Sequence, residues 1–309
     1  MMKKTMIDKT YNGSQKIKFA AMSRMAIFAL LLLLSAGCVK DDLHNTPHPD
    51  KGAVKVTTDW TGRSSDAVVP ENYILCIGGH EQTVKGETNA VDALFAPGRQ
   101  ELLVCHRTEG ISIDGNIASV NTRADGTLEP MPGFLFSAAK ELDIAADDTL
   151  RATVPMQQHI RTLVLSLNLK PGEELRIGHI TATLTGIASA IDLATGAVQA
   201  AGGKTVVPAF SIRTDDGRMR TEGDPVLAAT VRLLGVEAGE KQVLTLVVTL
   251  ADGYVQTIHA DLSELLKHFG ESDMEPLELD ATLELPVAPG VGGTISGWNV
   301  VDNGDIEVN

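Results

Sequence analysis

The chain has 309 residues, enough for two domains of ordinary size, and it is acidic: 40 Asp and Glu stand against 26 Lys and Arg, a formal net charge of −14. Six of the basic residues precede Cys38, with Asp8 the one acidic residue there; beyond that point 20 basic and 39 acidic side chains leave a net of −19. This balance excludes phosphate recognition by clustered Lys and Arg, so no nucleic-acid partner is expected, and it excludes an electrostatic grip on anionic lipid.

The first element is a leader. Ala26–Leu34 is a run of nine apolar residues, too short for a bilayer, which takes roughly 20. A basic approach (Lys16, Lys18, Arg24) and a small-residue exit (Ser35, Ala36, Gly37) make residues 1–37 a secretory signal peptide. Met1–Ala21 is long for a basic lead, which favours Met22 or Met25 as the start. The exit Leu34-Ser35-Ala36-Gly37-Cys38 resembles a bacterial lipobox, with Ser35 where the pattern usually has Leu. The resemblance implies that Cys38 is diacylated on sulfur and becomes the mature N-terminus. Acyl chains contribute roughly 0.8 kcal/mol per buried CH2, so several together hold a protein to an outer membrane. This covalent lipid is the only non-protein group expected; no cofactor or metal is. The alternative is a structural or unpaired cysteine after ordinary signal cleavage. Lys40, Asp41 and Asp42 resemble the Lys-plus-acidic export signal of surface lipoproteins in Bacteroidota; otherwise they belong to the polar linker 38–52.

From Ala53 on, the apolar pattern has period two. Strands are predicted at Val54–Trp60, Tyr73–Ile77, Glu101–His106 and Thr149–Val154, then Ile160–Leu169, Leu175–Leu184, Thr205–Arg213, Val226–Leu234, Gln242–Leu250, Tyr254–Ala260, Leu277–Leu285, Thr294–Val301 and Asp305–Val308. In LVLSLNLK, Leu163, Leu165, Leu167 and Leu169 share one face and Ser166 and Asn168 the other, the mark of a half-buried strand. Asp252-Gly253 supplies a hairpin turn. One helix is predicted after Asp261, with Asp261 and Glu264 as a capping box, Leu262, Leu265, Leu266 and Phe269 on one face, and Gly270 as the stop. A further helical turn is predicted at Ile187–Leu193. Many short strands with frequent turns predict an all-β chain of two tandem β-sandwich domains, 53–152 and 153–309, with one or two short helices.

Catalytic motifs are lacking. The eight histidines are scattered, there is no HExxH, and strand alternation sends the neighbours Cys105 and His106 to opposite faces. GISIDG (Gly110–Gly115) fails the spacing of a nucleophile elbow, and GVGGTISGW (Gly290–Trp298) leads into a strand rather than a phosphate-holding helix. The acidic pairs Asp147-Asp148 and Asp215-Asp216, and Asp302-Asn303-Gly304-Asp305, read as turns. Cys76 and Cys105 fall in predicted strands of the first domain, where a disulfide and two buried thiols are both open.

Several stretches together resemble one family. VKVTTDW, VPENYILCIGG and LFAPGRQELLVCHR resemble the opening strands of the fimbrial anchor and accessory subunits of Bacteroidales, the FimB/Mfa-type lipoproteins of the fimbrillin superfamily. VPMQQHIRTLVLSLNL is similar to their passage into a second domain, and ATLTGIASAIDLATG, TIHADLSELLKHF and GTISGWNVVDNGDIEV resemble later parts of it. The resemblance implies transthyretin-like sandwiches, no enzymatic activity, a place on the cell surface, and partnership with fimbrial stalk subunits by strand addition. Stalk subunits lose an N-terminal segment at an Arg or Lys, for which Arg63 and Arg151 are the candidates; a chain that keeps its lipid instead fixes or terminates a fibre. The runner-up is a glycan-binding or adhesive surface lipoprotein, for which only Trp60 and Trp298 offer rings, both in predicted core strands. A secreted hydrolase ranks last.

Overall fold

The computed structural model describes residues 50–213, 225–271, 273–286 and 291–301. Cys38, Lys40, Asp41, Asp42, Asp215-Asp216 and the predicted strand Asp305–Val308 lie outside them. The described residues form one compact unit by their contacts.

The fold is all-β. The first half carries β1 (Gly52–Asp59), β2 (Asn72–Ile77), β3 (His80–Lys85), β4 (Thr88–Phe95), β5 (Gly98–Cys105), β6 (Ile111–Asp114), β7 (Ile117–Val120), β8 (Phe136–Ile144), β9 (Thr149–Pro155) and β10 (Gln157–Gln158). The second carries β11 (Arg161–Asn168), β12 (Ile177–Ile187), β13 (Ala190–Asp192), β14 (Lys204–Val206), β15 (Ser211–Arg213), β16 (Val226–Leu233), β17 (Val243–Leu250), β18 (Val255–Asp261), the four-residue helix α1 (Ser263–Leu266), β19 (Leu277–Glu284) and β20 (Thr294–Val300).

The first sandwich sets a three-stranded sheet, β4-β1-β9, against a five-stranded one, β10-β8-β5-β2-β3. Their inner faces supply one apolar core, with Val54 and Val56 from β1, Leu75 and Ile77 from β2, Val104 from β5 and Phe136 from β8. The second sandwich sets β15-β16-β11-β19-β20 against β14-β12-β17-β18, around a core drawn from Leu163, Leu165, Leu167, Leu184, Leu244 and Leu246 among others. Each sandwich opens with a strand paired in parallel to a much later one, β1 with β9 and β11 with β19. Met156 belongs to the first core and Ile160 to the second.

The first half is not self-contained. Between β5 and β8 the chain leaves its sandwich, folds into the β6–β7 hairpin, and adds β7 to β13 of the second half. Ala118, Val120, Leu128 and Leu135 of this excursion enter the second core. Leu128 N donates to Thr205 O (2.8 Å) and Arg232 N to Pro130 O (2.9 Å), so the excursion also takes up strand-edge backbone groups.

The Asp252-Gly253 hairpin forms between β17 and β18, Gly253 at φ 88° where a side chain would be strained. Three expectations are corrected. Ile187–Leu193 is not helical: Ala190–Asp192 is a strand, because Ser189 O accepts from Val120 N on β7 (2.8 Å) and Ala190 O from Gln199 N (2.9 Å). The capping box does not form: Leu262 is the N-cap, and Asp261 Oδ1 takes both Ser263 N (3.0 Å) and Ser263 Oγ (2.6 Å), closing a local turn one residue early. Leu262, Leu266 and Phe269 are nonetheless buried as the helical spacing requires. Third, β11 is not half-buried: Thr162 and Ser166 on its polar face are buried too.

Candidate assembly interface

The sequence-predicted site residues fall into two sets. Cys38 and Lys40, Asp41 and Asp42 belong to the lead that runs covalently into β1. Cys76 and Cys105 lie on neighbouring antiparallel strands, Cys76 opposite Leu103 and Cys105 opposite Ile74. They are diagonal neighbours on one face. Such pairs stand roughly 7–8 Å apart, and a disulfide needs Cβ atoms at about 3.5–4.5 Å. Both are free thiols. Burial, and then the neighbouring Cys76, push the Cys105 thiol up to about 11, which leaves it protonated and inert at neutral pH. Alternation does separate Cys105 from His106. Cys105 joins the second core, while the His106 ring lies 5.8 Å from that of Phe136 in the first.

The histidine and carboxylate chemistry is structural. His159 Nε2 and Ser137 Oγ are 2.7 Å apart, among the described residues the one Ser–His pair that could suggest a nucleophile. Ser137 Oγ, however, donates to Leu193 O (2.9 Å) and thus accepts from the imidazole, the reverse of activation. Burial brings the His159 imidazole down to about 4, so it is neutral at physiological pH. Asp147 holds the β8–β9 turn at φ 55°. Among the described residues no group of three His, Cys, Asp or Glu side chains can hold a metal ion.

The polar groups that do converge lie where the loop after β1 meets β10 and the second sandwich. Ser64 N and Oγ both donate to Gln158 Oε1, at 2.9 and 3.1 Å. Ser65 N donates to Glu275 Oε1 (2.9 Å) and Ser65 Oγ to Glu275 Oε2 (2.5 Å). Thr162 Oγ1 donates to Asp66 Oδ2 (2.6 Å). Beneath them the buried Arg161 pairs with Asp273 (2.8 Å), donates Nε–H to Glu275 O (2.6 Å) and lies 5.3 Å from the centre of the Phe269 ring. Sequence reasoning passed over these residues. The one available signal was Arg161, a charge at the head of a strand otherwise fit for full burial, which demands a partner. Arg63 precedes the cluster in an exposed turn and Arg151 is exposed within β9.

Sheet edges complete the surface. The seven residues of β20 (TISGWNV) carry no charge and no proline, and among the described residues they form an outer edge of the second sandwich with a hydrogen-bonded neighbour only on the β19 side. Natural edges are usually blunted by Lys, Pro or shortness, and β20 uses none of these. Trp298 is half-buried against the second core, and Trp60 is buried in the first. Among the described residues no Trp, Tyr or Phe is exposed, so none offers a sugar-stacking platform.

Comparison with known proteins places this architecture. The sequence profile of the fimbrillin-A associated anchor proteins Mfa1 and Mfa2 matches residues 45–304. The chain belongs to this family. Among solved structures, the fimbrial anchor protein Mfa2 from Porphyromonas gingivalis is similar with a TM-score of 0.57 at 10% identity, over 81% of this chain and 97% of that one. A putative adhesin from Bacteroides thetaiotaomicron gives 0.58 at 13% identity, over 82% and 97%. One from Bacteroides ovatus gives 0.52 at 16%, over 84% and 97%. At these identities the structural likenesses establish the fold, and the profile establishes the family. No curated protein matches the sequence. Membership in the fimbrillin-A associated anchor family makes this a non-enzymatic structural protein of the fimbrial type, associated with fimbrial subunits at the cell surface.

Proposed function

We propose that this chain is a lipid-anchored subunit that fixes or terminates a fimbria at the outer membrane. The observation that carries the reading is the family match over residues 45–304, which begins just after a lipobox-like cysteine. Cys38 to Lys51 is the whole lead between the acyl chains and β1; at about 3.3–3.6 Å per residue it spans about 50 Å fully extended. That keeps the sandwiches near the membrane surface, and Lys40, Asp41 and Asp42 address the lipidated chain outward. Stalk subunits engage by strand addition, and the uncharged edge of β20 is the edge best suited to accept or supply a strand.

Palmitate labelling of cells tests the anchor: label is expected on the intact chain and none on Cys38→Ala, with fibres shed into the medium in that variant. Unlabelled wild-type chain, or fibres retained at normal length on cells lacking the protein, overturns the reading. For the interface, Ser296→Lys is expected to abolish co-purification with stalk subunits without changing the fold, because a charge on an edge opposes strand pairing.

A further inference from the structure

We propose that β1, held in parallel register by β9 and latched beyond its C-terminal end to the second sandwich, is the element that carries tension along this chain. The inference rests on the anchor reading, in which the membrane pulls on the lead before β1 and the fibre pulls on the second half.

The topology sets the direction of load. The lead enters β1 at its N-terminal end, Gly52, and the chain leaves β9 at its C-terminal end, Pro155, to continue through Met156 and β10 into β11. The two strands are parallel, with seven consecutive pairs from Ala53↔Thr149 to Asp59↔Pro155 and no slip in register. Tension therefore draws β1 toward its N-terminal end and β9 toward its C-terminal end. The cross-strand bonds lie roughly across that pull, so they share it and must fail together. Were the strands antiparallel, the same pull would open the bonds one at a time. On its other side β1 pairs with β4 through a ladder broken between Ala53 and Lys55, which makes the β9 side the regular one.

The far end of β1 is fastened separately. Trp60 is buried edge-on to Tyr73 and Phe136, with ring centroids 5.7 and 5.4 Å away, and its Nε1–H donates to Thr58 Oγ1 (2.8 Å). Past it, Ser64, Ser65 and Asp66 bond to Gln158, Glu275 and Thr162, all on the far side of Pro155 in the chain. Sliding β1 toward the membrane has to break the seven-pair ladder and withdraw this loop from its partners as well.

Single-molecule force spectroscopy of the full mature chain, tethered at its N-terminus through Cys38→Ala, tests the clamp. A second handle in the exposed Pro171-Gly172 turn loads β1 against β9 in shear. A handle in the exposed Asp147-Asp148 turn instead loads the ladder from one end. The first geometry is expected to rupture at no less than about twofold higher force, since forced unfolding follows the barrier rather than the equilibrium. Its event should release the first sandwich without the excursion held in the second core, residues 52–105 and 136–155, about 25 nm of chain at 3.3–3.6 Å per residue. Glu275→Ala should lower the force in the first geometry and leave the second unchanged. Equal forces in the two geometries overturn the clamp, and so does prior opening of the second sandwich; an equal loss in both geometries for Glu275→Ala overturns the latch. A failed clamp appears in these traces with palmitate labelling intact, whereas a failed anchor reading appears as lost labelling with the traces unchanged.

Discussion

β1 and β11 open their sandwiches in the same way, each paired in parallel with a strand from late in its own half, yet they are buried differently. Along β1 fully buried and half-buried residues alternate strictly, so Lys55 and Thr57 keep one face partly in water. Along β11 both faces are buried: Thr162 is tied to Asp66, Arg161 to Asp273 and Glu275, and Asn168 Nδ2 donates to Ala281 O (3.0 Å). β1 is thus placed to bear load along its length, while β11 is the centre about which the second core and the junction are built. The lesson is that matched topology does not imply matched energetics; what covers the second face of a strand decides how much depends on it.

That contrast can be broken by mutation. The largest effect is expected at β11: Leu165→Ala should cost about 3–4 kcal/mol, the range for a fully buried leucine whose site cannot collapse, and should be read from denaturant midpoints. Close behind comes acid. His159 is neutral in the fold with its pKa brought down to about 4, against 6.5 for the unfolded chain. The unfolded chain binds the proton first, so stability is complete above about pH 6.5 and falls as pH drops toward 4, by about 3 kcal/mol in all. Melts at pH 7.5 and 4.5 should show this loss, and His159→Gln should reduce it; an unchanged pH slope would mean that other groups carry it.

Val56→Ala on β1 comes next, at about 2 kcal/mol, since fewer methyl groups are lost from an equally dry site. If Val56→Ala proves costlier than Leu165→Ala, the ranking of the two strands is wrong. The smallest effect is expected at the junction: Ser65→Ala removes one hydroxyl bond on an exposed loop and should shift the midpoint by about 1 kcal/mol or less. Its influence on rupture force should be the larger one.

Much of the fold was legible. Strand positions from Gly52 to Val300 followed period-two patterning wherever one face is apolar, as in VKVTTD and VLTLVVTL. β3 and β4 were missed because HEQTVK and TNAVDALF are edge strands with few buried positions, and β8 because FSAAKELDI opens with three buried residues in a row and so breaks the alternation. The family resemblance was legible in short stretches, and the profile match bears it out. The junction was not, because Ser65 and Glu275 are 210 residues apart and each alone looks like a surface residue.

By itself, then, the sequence determined an all-β chain with Leu- and Val-built cores and an acidic balance beyond Cys38, since periodicity and charge are local properties. Only the tertiary structure decided that Cys76 and Cys105 stand diagonally and remain thiols, that residues 106–135 cross to the second core, and that β1 runs parallel to β9 with a latch at its end. These depend on which distant segments become neighbours, and strand pairing at long sequence separation leaves no period in the sequence to read.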